Sequence, residues 1–263
     1  MAPLILSRRR AALLLAAAPL VGCGEPLRSE DGAPIEPGSL EWAAAGDWRI
    51  EPERDVWRHP VETLRFWGVE PSMTVLEILP GRGWMTAILA PYLARGGGRL
   101  IVASVDPTQA SPARQETLAD FDRRFADTRR FGEIERTIVS DRPSMFALPR
   151  TVDLAILANN LHTLMAEGAA ERMFAQVVDA LKPGGVFIVL DHAAAPGTGP
   201  EIPGTLHRIN PDIVKADMQA VGFQFVGESD VLRNTTDDVT KRVNEQGAIP
   251  DGSNQFILKF RKP

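Results

Sequence analysis

From Thr74 onward the chain alternates short apolar runs with stretches whose apolar residues recur at helical spacing. Thr74–Leu79, Arg99–Val105, Glu135–Val139, Val152–Ala158 and Val186–Leu190 are dominated by aliphatic, often β-branched residues. Such runs suit strands covered on both faces. Between them, Met85, Ile88, Leu89, Tyr92 and Leu93 follow the 3.6-residue period, and Pro91 is expected to kink that helix or cut it short. Met173, Val177, Val178 and Leu181 follow the same period, before Lys182 to Gly185 (KPGG) turns the chain into the next strand. Asn210-Pro211 is an N-cap followed by proline at the first helical position. Ile213, Val214, Met218 and Val221 form the apolar face of the helix it opens, and Gly222 ends it. Alternating strands and helices predict an α/β fold with a mostly parallel sheet and helices on both faces.

The tail breaks the alternation. Phe223–Val226 and Gln255–Phe260 read as strands with no helix between them, which makes them antiparallel neighbours. The polar segment between them, Glu228 to Asn254, is long for a compact domain, and irregular loops of that length often serve as functional lids.

The other end reads differently again. Arg8, Arg9 and Arg10 precede an apolar run from Ala11 to Leu20, too short for the roughly 20 residues that span a bilayer. A basic flank, a short apolar core and small residues before a boundary describe a secretory signal. The boundary, Leu20-Val21-Gly22-Cys23, resembles the lipobox of bacterial lipoproteins, and it holds the single cysteine of the chain. Ser7 to Arg10 also resembles a twin-arginine signal. The expected organisation is a signal peptide over 1–22, a tether over 23–46 lipidated at Cys23, and a folded domain over 47–263. That places the protein outside the cytosol, on the periplasmic side, anchored by lipid; the alternative is a cytoplasmic protein whose leader is not used. One cysteine excludes a disulfide within the chain and a structural zinc site built on thiolates. A formal charge of −5, without a basic patch carrying interleaved aromatics, argues against a nucleic-acid partner.

The candidate chemistry starts at Val75 to Trp84, VLEILPGRGW. Gly81 and Gly83 fit the first two positions of G-x-G-x-x-G, but Thr86 stands at the third, against a dinucleotide site. No Gly-Lys-Ser/Thr follows, so a P-loop is absent. Two glycines still let the backbone approach a ligand, and the helix start after them offers free N–H groups to a carboxylate. The stretch resembles the first motif of class I S-adenosylmethionine (SAM)-dependent methyltransferases, D/E-x-G-x-G-x-G, with Glu77, Pro80, Gly81 and Gly83 at the cradle and Leu79 in place of the first glycine. More narrowly, it is similar to a group of bacterial predicted methyltransferases with E-I-x-P-G-x-G-W here, which also carry segments like Leu206–Ile209 and Glu228–Asn234. The resemblance covers about Trp48 to the C-terminus. It implies a Rossmann-like seven-stranded sheet whose last strand is antiparallel, SAM as cofactor, and methyl transfer to a small molecule. It also implies that Asp106, ending the second strand, holds the ribose hydroxyls, and that Asp141, after the third, lies near the adenine amino group.

In a doubly wound sheet the ligand sits beyond the carboxyl ends of the strands. Asn159 and His162 follow the fourth strand, His192 the fifth, and His207 and Arg208 the connection after it. Asn159 joins the expected cofactor set, and His162, His192 and His207 are the candidate bases. Asp55 and Arg58, from the N-terminal helical segment, together with Arg208, are the expected substrate contacts. His162, Asp191, His192 and His207 lack the paired spacing of a metal site, so no metal is expected. The D/N-P-P-Y signature of nitrogen methyltransferases is absent after strand four, where the chain reads NNLH. The rival reading is an exported lipoprotein that uses the same fold to bind a ligand without transferring a methyl group.

Overall fold

The computed structural model describes residues 27–28, 32–139, 146, 148–243, 245 and 252–263. The expected signal, the lipidation residue Cys23 and the adenine contact Asp141 lie outside the described residues.

Seven strands form one sheet in the order β3-β2-β1-β4-β5-β7-β6. They are β1 (Thr74–Ile78), β2 (Arg99–Val105), β3 (Ile134–Val139), β4 (Val152–Ala158), β5 (Leu181–His192), β6 (Gln224–Ser229) and β7 (Gln255–Arg261). The first five pair in parallel, and β7 runs antiparallel between β5 and β6. This is the mostly parallel sheet with an antiparallel last strand that the apolar runs and the terminal hairpin predict. β5 begins earlier than expected. The KPGG stretch does not separate helix from strand but lies inside β5 as a register irregularity opposite Val152 and Leu154.

Side chains alternate across each central strand, as the two-residue period requires. Leu76, Ile78, Ala155, Leu157, Phe187 and Val189 enter one core, beneath α7 (Leu161–Ala166), α8 (Ala170–Ala180) and α10 (Pro211–Ala220). Val75, Leu154, Ile156, Ile188 and Leu190 enter the other. That second core is covered by α1 (Leu40–Ala44), α3 (Pro60–Trp67), α4 (Thr86–Gly96) and α5 (Pro112–Arg124). Glu77 points to the second face too, where its carboxylate meets Thr86 at the start of α4.

Two expectations change for stated reasons. Pro91 does not end α4; the helix runs through to Gly96. Proline there leaves the Ala87 carbonyl without its helical donor, and the Trp48 indole N–H supplies one at 2.9 Å. The segment read as a tether is in part folded onto the domain. Trp42 and Ala43 of α1 are buried, and Leu27, Ile35 and Leu40 pack on the same core. Arg95 covers the Trp42 ring and Trp48 packs against it at a tilt, so α1 is held by aromatic contacts that no local periodicity displays. Asn210 caps α10 as expected, its side-chain oxygen accepting from the Asp212 N–H at 3.0 Å.

Candidate active site

Among the described residues, two cavities open beyond the carboxyl ends of the strands, with Leu79, Pro80, Gly81 and Asn160 lining both. The first, about 240 Å³, lies toward β2 and β3, against Ser104, Val105, Val139 and Leu118. The second, about 230 Å³, is bounded by Glu77, Asn159, Trp84 and the arginines 54, 58 and 82. Two further elements supply its roof, a short 3₁₀ turn η1 (Pro52–Arg54) and α2 (Asp55–Arg58).

The turn after β1 does what the motif suggests, in part by unexpected means. Gly81, at φ +58°, has nothing within 4 Å of the position a Cβ would take, so a side chain there would project into open space at the cavity wall. Leu79 stands where a glycine is expected and nevertheless adopts the left-handed backbone, φ +53°. Such a conformation costs an L-residue about 1–2 kcal/mol. The chain keeps the glycine-like turn and adds a side chain to both cavity walls. Gly83 corrects the expectation of a close approach to ligand. It lines neither cavity, and a Cβ on it would meet the Phe125 ring at 2.4 Å and Phe121 at 3.0 Å. It is required for α5 to pack against the turn. Trp84, the last residue of the motif, locks the N-terminal segment in place. Its indole N–H donates to the Glu51 carbonyl at 3.2 Å, and its ring lies near both the Arg49 and Arg58 guanidiniums, at 5.0 and 4.7 Å.

Glu77 is buried, and burial pushes its carboxyl from the usual 4.5 up to about 7, against the opposing pull of the Thr86 hydroxyl at 2.7 Å. Asn159, held at φ +53° after β4, has a buried Oδ1 with no hydrogen-bond partner. An orphaned acceptor of this kind costs about 1–3 kcal/mol. Asn160 carries the opposite role: its side-chain N–H groups donate to the Leu79 and Ala158 carbonyls at 3.1 and 2.8 Å, tying the β1 turn to the end of β4.

The remaining expected residues fall into three places. Asp106 lines neither of these two cavities; its Oδ1 accepts from the Thr108 N–H and hydroxyl at 2.8 and 2.7 Å, the turn-capping arrangement of a short acidic side chain. Asp55 is engaged with Arg49 through two hydrogen bonds, 2.7 and 3.1 Å, and braces the roof without lining the cavity. Arg58 does line it. Arg208 overturns its expected role as a substrate contact. Only 2% exposed, it turns inward and bonds Asp237 bidentately at 2.7 and 3.1 Å, as well as the Lys241 and Ala193 carbonyls. It anchors the long segment before β7 to the end of β5.

The three candidate histidines do converge. His162 Nδ1 lies 2.8 Å from Oδ1 of the fully buried Asp191. The same carboxylate accepts from the backbone N–H groups of His162 and His192, at 3.1 and 2.8 Å. The His207 ring stacks on that of His162 with centroids 5.2 Å apart, and His192 lies 5.7 Å away. His192 Nδ1 meets the Ser253 hydroxyl at 2.7 Å, and Arg242 donates to His207 Nε2 at 2.7 Å. Burial drives the His192 imidazole down to about 4, with His162, Arg208 and Arg58 adding to the effect and Asp191 opposing it. Burial, then Arg242, lowers that of His207. The long segment read as a lid therefore supplies partners to two histidines. Among the described residues, no three His, Cys, Asp or Glu side chains are disposed to hold a metal ion. Sequence reasoning listed these residues singly; it missed the Asp191 pairing, the role of Trp84 and the lining by Arg54 and Arg82.

No family model and no curated protein sequence matches the chain. Solved structures do. A SAM-dependent methyltransferase from Aquifex aeolicus superposes with a TM-score of 0.58 at 15% identity, over 87% of this chain and all of that one. The N-methyltransferase NodS from Bradyrhizobium japonicum WM9, in complex with S-adenosyl-L-homocysteine, gives 0.54 at 20% identity, over 86% of this chain and 98% of that one. The [4+2]-cyclase SpnF gives 0.53 at 16%, over 83% and 84%. The fold is that of the class I SAM-dependent methyltransferases.

Proposed function

We infer that the protein is a SAM-dependent methyltransferase acting on a small molecule. The observation that carries this reading is the orphaned Asn159 Oδ1 beside the buried Glu77 carboxyl, both on the wall of a cavity roofed by arginines. A ligand bearing an ammonium and a carboxylate would complete that wall. Asn159 and Glu77 accept from the ammonium, and Arg54, Arg58 or Arg82 draws the carboxylate. Gly81 leaves room for the chain joining the two halves of the ligand, and the more apolar first cavity, beside Val105, Val139 and Leu118, suits a purine. The methionine and adenosine parts of SAM have this chemistry in this order. When bound, SAM supplies an electrophilic methyl group on a sulfonium. The residues of the chain position it and exclude water, and positioning accounts for much of the rate of such a displacement.

Calorimetric titration with S-adenosylhomocysteine tests the reading. A saturable heat is expected, weakened more than tenfold in Gly81→Val, whose side chain would enter the cavity. No heat with millimolar ligand would remove the cofactor and favour a binding protein that uses the fold otherwise. Leu79 is the feature that favours this second reading, since it narrows the cradle where the motif has glycine. On location, we propose export and lipid anchoring through Cys23, supported by the basic flank, the short apolar run and the lipobox-like boundary. Labelled fatty acid on the native chain but not on Cys23→Ser tests it; a cytosolic protein retaining its leader would refute it.

A further inference from the structure

We propose that His162, oriented by Asp191, is the base that takes a proton from a hydroxyl acceptor, so that the protein makes methyl ethers of phenol-like or enol-like compounds. This rests on the methyltransferase reading and specifies its acceptor.

The argument begins with Asp191. It ends the core of β5 with no exposed surface, and burying a carboxylate is costly unless its oxygens are all engaged. Its partners are the two backbone N–H groups and the His162 ring. An acceptor-only group facing Nδ1 fixes the proton there. Nε2 is then the nitrogen left with a lone pair. That tautomer is the minor one for a free imidazole, so the carboxylate selects it. The ring itself keeps 10% of its side-chain surface exposed, so it is not sealed into the core. His162 lines neither cavity itself; it sits on α7 beside Thr163 and Leu164, which line the first.

The two neighbouring histidines are poorer bases for reasons already on the page. His192 is neutral and spends Nδ1 on Ser253. His207 has Nε2 occupied by an Arg242 N–H, which leaves it as a stacking partner for His162. The cluster thus has one imidazole with a carboxylate behind it and two without.

The step balances simply. The hydroxyl proton passes to His162 Nε2, and an oxygen electron pair forms the new O–C bond with the methyl group. The electron pair of the breaking S–C bond returns to sulfur, which discharges the sulfonium. The imidazolium then loses its proton to water. Amines that are already neutral, and thiols that ionise near pH 8, have less need of such a base.

Two measurements test this. In ¹⁵N-histidine-labelled wild-type protein, which has four histidines to assign, the His162 ring should show the neutral Nδ1-protonated tautomer. In Asp191→Asn that signature should be lost; a His162 ring protonated on Nε2 in the wild type would overturn the orienting role of Asp191. In His162→Asn the amide keeps a donor toward Asp191 and deletes Nε2. Its affinity for S-adenosylhomocysteine should stay within about twofold, because the cofactor walls are untouched. Transfer of labelled methyl from SAM to phenol should fall about 100-fold or more, the usual scale of a general base. Transfer to 4-nitrophenol, which is ionised without help at pH 8.5, should fall less than about tenfold by the same reasoning. Equal losses on the two probes, or no loss on either, would overturn the base. Wild-type protein that binds S-adenosylhomocysteine but methylates only amines or thiols, or no phenol at all, would overturn the hydroxyl acceptor. Wild-type protein that binds no S-adenosylhomocysteine would instead overturn the cofactor reading beneath it.

Discussion

The two ends of the cleft are built on opposite terms. At the β1 end, polar groups are buried with too few partners. Glu77 has one hydroxyl and a carboxyl pushed up to about 7, and Asn159 Oδ1 has nothing. At the β5 end, polar groups are buried and engaged. Asp191 accepts three hydrogen bonds, Arg208 donates four, and His192 and His207 each hold a partner. An under-satisfied wall lowers the stability of the free protein and gains most from a ligand that completes it. A satisfied wall is rigid beforehand, which is what positioning a proton acceptor requires. The contrast fits the proposed division, in which one end binds the cofactor and the other carries the chemistry.

The comparison breaks most visibly if the satisfied end is opened. Arg208 is buried and its partner Asp237 largely so, with side-chain exposures of 2% and 15%. Asp237→Ala leaves the guanidinium charged and without its carboxylate, at a cost of about 3–5 kcal/mol by the precedent of broken buried pairs. Urea denaturation measures it. The same Oδ2 also accepts from the Asn254 N–H, so the loss reaches the start of β7. A change below about 1 kcal/mol, the range of surface ion pairs, would mean that the long segment is not held through Arg208.

The under-satisfied end should respond in the opposite direction. Glu77 binds its proton more tightly folded than unfolded, so the folded state is favoured while the group is protonated. Its contribution is fully present below the unfolded value of 4.5 and is lost as pH rises through about 7. Above pH 8 the buried carboxylate costs the fold about 3 kcal/mol, at 1.36 kcal/mol per pKa unit. Glu77→Gln should therefore raise stability at pH 8, leave it nearly unchanged at pH 4, and flatten the difference curve between. The same variant should bind S-adenosylhomocysteine less well. Stability lost at pH 8 would mean that Thr86, not burial, governs the carboxyl.

How far the sequence foretold these ends follows from the reach of the interactions. The five parallel strands and the terminal hairpin are legible because burial on both faces writes itself as a local apolar run. Glu77 is legible as an acid inside a strand, and Gly81 and the histidines as residue types at or after strand ends. What could not be read depends on partners far along the chain. Pro91 is tolerated because Trp48 meets the Ala87 carbonyl across 39 positions. Gly83 is explained by Phe125, Asp191 selects among the histidines by meeting His162 across 29 positions, and Arg208 turns inward to Asp237. Asp106 shows the limit of local reading, because an acid after a strand caps its own turn by the same local geometry that would offer it to a ribose.

The smallest expected change in stability, and the sharpest test of the β1 end, lies at Leu79. Replacing it with glycine removes about 1–2 kcal/mol of left-handed strain. It also forfeits part of the roughly 1.5–3 kcal/mol that full burial of a leucine is worth, since the side chain is only partly buried. Glycine further raises the entropy of the unfolded chain, by about 0.5–1 kcal/mol relative to alanine. These terms nearly cancel, so Leu79→Gly should shift stability by no more than about 1 kcal/mol. Leu79→Ala keeps the strain while losing the side chain, and should be less stable than Leu79→Gly. Binding separates the two readings of the cleft. If the side chain only narrows the passage between the cavities, both variants should take S-adenosylhomocysteine more tightly, up to about tenfold, or 1.4 kcal/mol. If Leu79 is itself a wall against which the ligand packs, both should bind more weakly, and the departure from glycine would be the feature that fits this cleft to its own ligand.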